Sequence, residues 1–164
     1  MDYILGYGVF SVGGVDIALT RGGGQFTVER TYKEVVADGD YGPVKGRVRK
    51  DGSRAKLVVR ALEIISTNME AFYPAMSVDD TTVPGTATVT GKADIEDTDY
   101  GNVIFTGTTK SGKSIVIDLT DAINLENLDW ALVDKDEVVA ELTYTAAYDP
   151  ATRTTEPWKV DFVD

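Results

Sequence analysis

The sequence contains no cysteine and no histidine. Without cysteine there is no disulfide framework, thiolate nucleophile or cysteine-based metal site. Without histidine the chain lacks the commonest general base, the usual metal ligand, and every Ser-His or Cys-His catalytic arrangement. A catalyst would have to work with carboxylates, lysine, tyrosine or hydroxyls alone. We therefore expect a protein that is not an enzyme and that needs no cofactor or metal ion.

Long apolar runs are also missing. No stretch approaches the roughly 20 apolar residues of a membrane span. The N-terminus carries Asp2 where a secretion signal has a basic patch, and its apolar stretch is short. We expect a protein that stays in the cytoplasm until something carries it out, with no membrane partner.

Basic residues are outnumbered, with 16 Lys and Arg against 27 Asp and Glu and a net charge of −11. This balance argues against ordinary nucleic-acid binding, which needs clustered cations. The basic residues concentrate in 43–60, whereas 94–99 and 118–141 are acidic. Two interpretations stay open: two solvated faces, or a subunit whose basic side meets the acidic side of its neighbour.

Apolar and polar residues alternate with a period of two through most of the chain, which is typical of strands with one buried face. Gly-rich and Asp-Gly turns separate these segments. The predicted strands are 9–20, 25–33, 55–64, 86–90, 103–108, 114–119, 138–148 and 158–162. We predict one domain over residues 1–164, mainly β, an antiparallel sandwich or partial barrel of about eight strands with one short flanking helix.

The helix is predicted after residue 67, because Thr67 and Glu70 have the spacing of a capping box. Pro74 limits its length. Its apolar stripe, which we expect to pack over a sheet, consists of Met69, Phe72, Tyr73 and Met76. Residues 125–130 could form a second helical turn.

Residues 107–114 match the phosphate-binding pattern G-x-x-x-x-G-K-[ST] letter for letter. That mechanism requires a helix to begin at the lysine, so that its amides face the phosphates. Here Ser114 opens an alternating, β-branched segment that indicates a strand. We therefore predict a β-hairpin without nucleotide binding.

Two weaker signals have simple structural explanations. Residues 94–101 are rich in the oxygen ligands that Ca²⁺ prefers, but they lack EF-hand spacing, and a solvated acidic loop is favoured. The glycines at 22–24 lack the strand-to-helix context of a dinucleotide site.

Four segments resemble the major tail tube proteins of long-tailed, siphophage-type bacteriophages. They are GGVDIALTRGGG (13–24), TVER (27–30), ADGDYGPVKGR (37–47) and DPATRTTEPW (149–158). The similarity runs from about Gly8 to the C-terminus. It is most specific in residues 13–62 and 124–160.

The resemblance implies a structural protein of the virion tail. It implies a β-sandwich with a flanking helix, assembled in the host cytoplasm into hexameric rings that stack into a hollow tail tube. DNA would pass through the tube without specific binding, and strands from all six subunits would form the inner wall. The implied partners are other copies of the chain, the tape measure protein, the tail terminator and the distal tail protein.

Polar strand faces suit the wall of such a water-filled bore. The candidates that we favour for lining it are Glu29, Thr31, Glu141 and Thr143. An acidic wall would repel the phosphate backbone and let DNA pass.

The long connection at 36–54 is the candidate contact between subunits. A loop of about 19 residues is unusual in so small a domain unless it is functional or bound to a partner. It is also basic beside an acidic remainder. We predict that it reaches a neighbouring subunit or ring and becomes ordered there, through Tyr41, Pro43, Lys45, Arg47 and Arg49.

Three alternatives remain. Another ring-forming tail component, a distal tail or terminator protein, would give isolated rings where a tube subunit gives long tubes. A β-sandwich module that binds carbohydrate or Ca²⁺ would show an exposed aromatic cluster beside the acidic loop. A small P-loop NTPase would bind nucleotide through Lys113.

Overall fold

A computed structural model describes residues 2–163 of the chain. Within them the chain forms ten strands, a four-residue helix and two 3-10 turns, at Ser66–Asn68 and Asp97–Asp99. The regular elements are β1 (Ile4–Val12), β2 (Val15–Ile17), β3 (Thr20–Glu34), β4 (Val48–Ala61), α1 (Met69–Phe72), β5 (Met76–Asp79), β6 (Thr88–Gly91), β7 (Gly101–Thr109), β8 (Ser114–Asn124), β9 (Ala140–Ala146) and β10 (Trp158–Val163).

Eight of the strands belong to one antiparallel sheet, in the order β2-β1-β7-β8-β9-β4-β3, with β10 also paired to β8. Strands β5 and β6 form a separate two-stranded hairpin. The predicted class, mainly β with antiparallel pairing and a short helix, is confirmed. The sheet does not close on itself, since β2 and β3 end it.

Strand β8 joins the two layers of the fold. One layer contains β2, β1, β7 and β10, and the other contains β9, β4 and β3. Residues 114–119 of β8 pair with β10, and its residues 122–124 pair with β9. Between them Asp121 has a left-handed backbone with a φ of 48°. This bend turns the sheet back on itself, so that β3 and β4 cover β1 and β10.

Close contacts join the two layers. The Phe26 ring lies edge-on to Trp158 with centroids 5.8 Å apart. A Cβ built on Gly24 would lie 2.7 Å from the Phe10 ring, so that only glycine permits this approach. The layers therefore pack as a sandwich.

The core is built from the apolar face of each central strand. In β9 the predicted inward set, which includes Leu142 and Tyr144, is buried, and the residues between are exposed or half-buried. Strand β4 alternates in the same way from Ala55 to Ala61. Burial of large side chains such as Leu57 contributes about 1.5–3 kcal/mol each.

The helix packs over the sheet as predicted, with Met69 and Phe72 buried. The buried Asn124 side chain donates to the Phe72 carbonyl at 2.8 Å. The predicted capping box is wrong, because the Glu70 carboxylate instead accepts the Val78 amide of β5 at 2.7 Å. No helix among residues 2–163 has the length and apolarity to cross a membrane.

Three other predictions differ from the structure. The segment 9–20 forms two strands around a Gly13-Gly14 turn, since both glycines have positive φ. Residues 125–130 form no helical turn. Strand β5 was missed because its first residue, Met76, was assigned to the helix stripe.

Candidate functional site

Strands β3 and β4 continue well beyond the sandwich as a two-stranded arm, which we define as residues 29–54. Their pairing extends from Thr20 opposite Ala61 to Glu34 opposite Val48. In β3 only residues 26–28 are partly buried, and every residue from 29 to 34 is exposed. In β4 full burial starts at Ala55. Both faces of the outer arm, the paired residues 29–34 and 48–51, are therefore exposed.

The predicted loop at 36–54 is too long. The unpaired connection is 35–47, because Lys33 and Glu34 pair with Arg49 and Val48. Arg49, predicted as a loop residue, therefore lies in β4. The Asp51-Gly52 dipeptide, which resembles a turn, is a bulge, since Thr31 faces Gly52 while the next residue faces Lys50.

The loop is shaped by its own contacts. The Asp40 carboxylate accepts the Ala37 amide at 2.8 Å and the Arg47 guanidinium at 2.7 Å. The Arg47 amide donates to the Val44 carbonyl at 3.0 Å, and its carbonyl accepts the Val35 amide. Arg47 is therefore engaged within the loop.

The other predicted contact residues lie exposed at the tip of the arm, which we define as residues 35–49. Tyr41 is fully exposed, with Pro43 and Lys45 exposed beside it and Arg49 exposed in β4. The structure brings these four residues to one end of the molecule. Their contact with a neighbour stays a prediction.

Sequence reasoning missed the apolar character of this tip. Its exposed apolar side chains are Val35, Val36, Tyr41, Val44 and Val48. Val36 is 71% exposed. The adjacent valines 35 and 36, in a segment otherwise rich in charge and glycine, were the available signal. Such a cluster of uncovered side chains is typical of a contact surface.

All four predicted bore-lining residues lie on one face, the outer face of β3, β4 and β9. The register places Glu29 opposite Arg54 of β4, and it places Thr143 and Glu141 opposite Val58 and Arg60. Thr31 lies two residues along from Glu29 and shares its face. Glu29 and Thr31 lie towards the arm, and the β9 pair lies across the sheet.

This face is not acidic, although an acidic wall was predicted for the bore that these residues would line. Lys56 lies 3.2 Å from Glu29, and Arg60 lies 2.9 Å from Glu141. Arg54 adds a third cation on the same face. Strand β4 carries these cations and lies between β3 and β9, so that each carboxylate has a basic neighbour. With three cations and two carboxylates among these residues, the face is slightly basic.

The phosphate-binding pattern lies in a hairpin, as predicted. Strand β7 ends at Thr109 and β8 begins at Ser114, which pairs with Thr108. The turn closes through the Thr109 amide, which donates to the Lys113 carbonyl at 2.9 Å. No helix begins at Ser114 to direct amides at a phosphate. Instead, the Ser111 amide of the turn donates a hydrogen bond to the Asp2 carboxylate.

The acidic loop at 94–101 is organised by hydrogen bonds of its own. Glu96 and Asp99 form a capping box around the 3-10 turn, and Lys92 lies 3.3 Å from Glu96. Within residues 2–163 no three acidic groups are placed to hold a metal ion. Both tryptophans are half-buried, with their indole groups bonded to Tyr73 and Glu156. The structure therefore adds no support for a carbohydrate or Ca²⁺ module.

Comparison with protein-family models and with curated proteins finds no match to this chain. The resemblance to tail tube proteins therefore stays a prediction, and any functional argument rests on the arm and the polar face described above.

Proposed function

We propose that this protein is a phage tail tube subunit, which polymerises into stacked, hexameric rings enclosing a channel for DNA. The observation that carries the proposal is the arm. In an isolated monomer, a two-stranded extension with solvent on both faces and an apolar, basic tip buries no apolar surface that would stabilise it. Uncovered strands and apolar side chains of this kind are stabilised when a neighbouring subunit covers them.

Two further features support assembly from identical copies. Strands β2, β3 and β10 each pair along one side only within residues 2–163, so that each offers an edge to another chain. The outer face of β3, β4 and β9 is polar, and ion pairs with its two carboxylates engage two of its cations. A wall of this kind stays hydrated and releases few counterions to passing DNA.

The proposal extends to place and partners. The subunit would assemble in the host cytoplasm, reside in the virion tail, and contact the tape measure, terminator and distal tail proteins. It would perform no catalysis and bind no cofactor.

Negative-stain microscopy of the concentrated protein tests the proposal. Long hollow tubes are the expected result. Isolated rings would favour a distal tail or terminator protein of related fold. A protein that stays monomeric at every concentration would contradict the proposal.

Charge reversal at the arm tests its role in that assembly. Because Arg47 supports the loop through Asp40, the informative variant is Lys45→Glu/Arg49→Glu. We expect this variant to remain folded and to need about tenfold more protein for tube growth. Lys110→Glu/Arg153→Glu makes the same charge change on exposed residues outside the arm and should still form tubes.

A further inference from the structure

An apolar groove lies between α1, β6 and the segment that follows β8. It encloses about 440 Å³. Its apolar lining includes Ile65, Met69, Met76, Val89, Leu128 and Trp130. Ile65 and Leu128 line the groove, and each is 46% exposed because nothing within residues 2–163 fills it. Trp130 is fixed at its wall, because its indole donates to the Tyr73 hydroxyl at 3.2 Å.

Leu128 and Trp130 of the groove belong to an acidic segment, residues 125–137, which carries five acids and one base. Asp136 and Glu137 pair with Arg21. Glu126 and Asp129, on either side of Leu128, are exposed and form no ion pair within residues 2–163. Asp129 lies between the lining residues Leu128 and Trp130 in the chain, and Glu126 lies two residues before Leu128. An apolar groove with two such carboxylates close to its lining in the chain fits an apolar, cationic occupant.

The tip of the arm has that chemistry. Tyr41 and Val44 provide an aromatic and an aliphatic side chain, and Lys45 and Arg49 provide exposed cations. Aromatic side chains seated in a pocket are typical centres of protein interfaces. Because Tyr41 is fully exposed, the tip does not fill the groove of its own chain.

We propose that the arm tip of one copy docks in the apolar groove of a second copy. Tyr41 and Val44 enter the groove, while Lys45 and Arg49 face Glu126 and Asp129. The two surfaces are different, so each docked copy leaves one tip and one groove for the next, and the contact can propagate. This inference rests on the proposed function, for which it specifies the contact between copies.

Charge exchange across the contact provides the test. The tip variant is Lys45→Glu/Arg49→Glu, and the rim variant is Glu126→Lys/Asp129→Lys. Each variant alone should need about tenfold more protein to assemble, because two opposite-charge contacts become repulsive. An equimolar mixture should assemble again, since each reversed surface then meets a complementary one.

The chain that combines all four substitutions is the sharpest variant. It keeps the wild-type net charge of −11 and should assemble near the wild-type concentration. The docking would be overturned if the single variants assembled like the wild type. It would also be overturned if both the mixture and the combined chain stayed dispersed. In either case, wild-type tubes would still uphold the proposed function. A wild-type protein that never associates overturns both.

Cross-linking locates the contact directly, because the chain has no cysteine of its own. Tyr41→Cys and Leu128→Cys, placed on separate chains, should form a cross-linked heterodimer with a short bismaleimide. Thr106→Cys, on the exposed outer face of β7, should not link to Tyr41→Cys. Equal yields at Leu128 and Thr106 would place the tip elsewhere.

Discussion

At the scale of single residues, Asp121 sets the shape of the fold. Its φ of 48° lies in the left-handed region, which costs an ordinary L-residue about 1–2 kcal/mol and costs Asp less. The bend is held from both sides, since the Asp121 amide donates to the Asn102 side chain and its carbonyl accepts the Ala147 amide at 3.2 Å. The sandwich therefore depends on a residue that tolerates this conformation.

Substitution at Asp121 should follow backbone preference. Asp121→Gly should change the free energy of unfolding by less than about 0.5 kcal/mol. Asp121→Val should lower it by about 1–2 kcal/mol, because a β-branched side chain clashes in the left-handed region. Urea unfolding measures both. Thr120→Val, at the exposed neighbouring position with ordinary φ, should cost little, and an equal loss there would contradict the backbone explanation.

At the scale of elements, one carboxylate ties the arm to the sandwich. Glu156 pairs with Lys50 of the arm and accepts the Trp158 indole at 3.0 Å and the Tyr148 hydroxyl at 3.3 Å. The Lys50 hydrogen bond is the main cause that holds the pKa of Glu156 below its ordinary value of 4.5. The charged form of Glu156 therefore links the arm to the sandwich through Tyr148 and Trp158.

The stability contribution of Glu156 should depend on pH. Because its folded pKa is lowered, the contribution is complete above 4.5 and is lost as pH falls through the folded value. Glu156→Gln should be less stable than the wild type near neutral pH, and the difference should shrink in acid. Urea midpoints measured from about pH 7 to about pH 3 check this. A difference that stays constant would contradict it, and Glu126→Gln controls for the loss of an exposed carboxylate.

The same scale shows what the sequence could predict. Strands buried on one face, such as β9, were predicted because burial imposes a period of two. The β3 half of the arm was predicted as a strand up to residue 33. The β4 half, residues 48–54, was assigned to the loop because its exposed residues need no alternation. The capping box failed because Glu70 bonds β5, a partner that local spacing cannot reveal.

At the scale of the whole molecule, the charge of the polar face depends on strand order. In the fold, β4 inserts Lys56 and Arg60 between Glu29 and Glu141. The sequence alone did not reveal these neighbours, because strand order is a long-range property. In an assembled bore, ion pairing of the cations, and not acidic repulsion, would be the reason that DNA does not adhere.

Removing the two carboxylates that pair with these cations should make the proposed bore bind DNA. Glu29→Gln/Glu141→Gln leaves Arg54, Lys56 and Arg60 uncompensated on the face that we propose lines the channel. Repeated around each ring, these cations should retain DNA, because each phosphate contact releases counterions. We expect tubes of this variant to bind labelled single-stranded DNA, and retention should fall steeply as salt rises. Asp80→Asn/Asp94→Asn removes the same charge from exposed positions off this face, and its tubes should retain as little DNA as the wild type. Equal retention by the two variants would mean that this face does not line the bore.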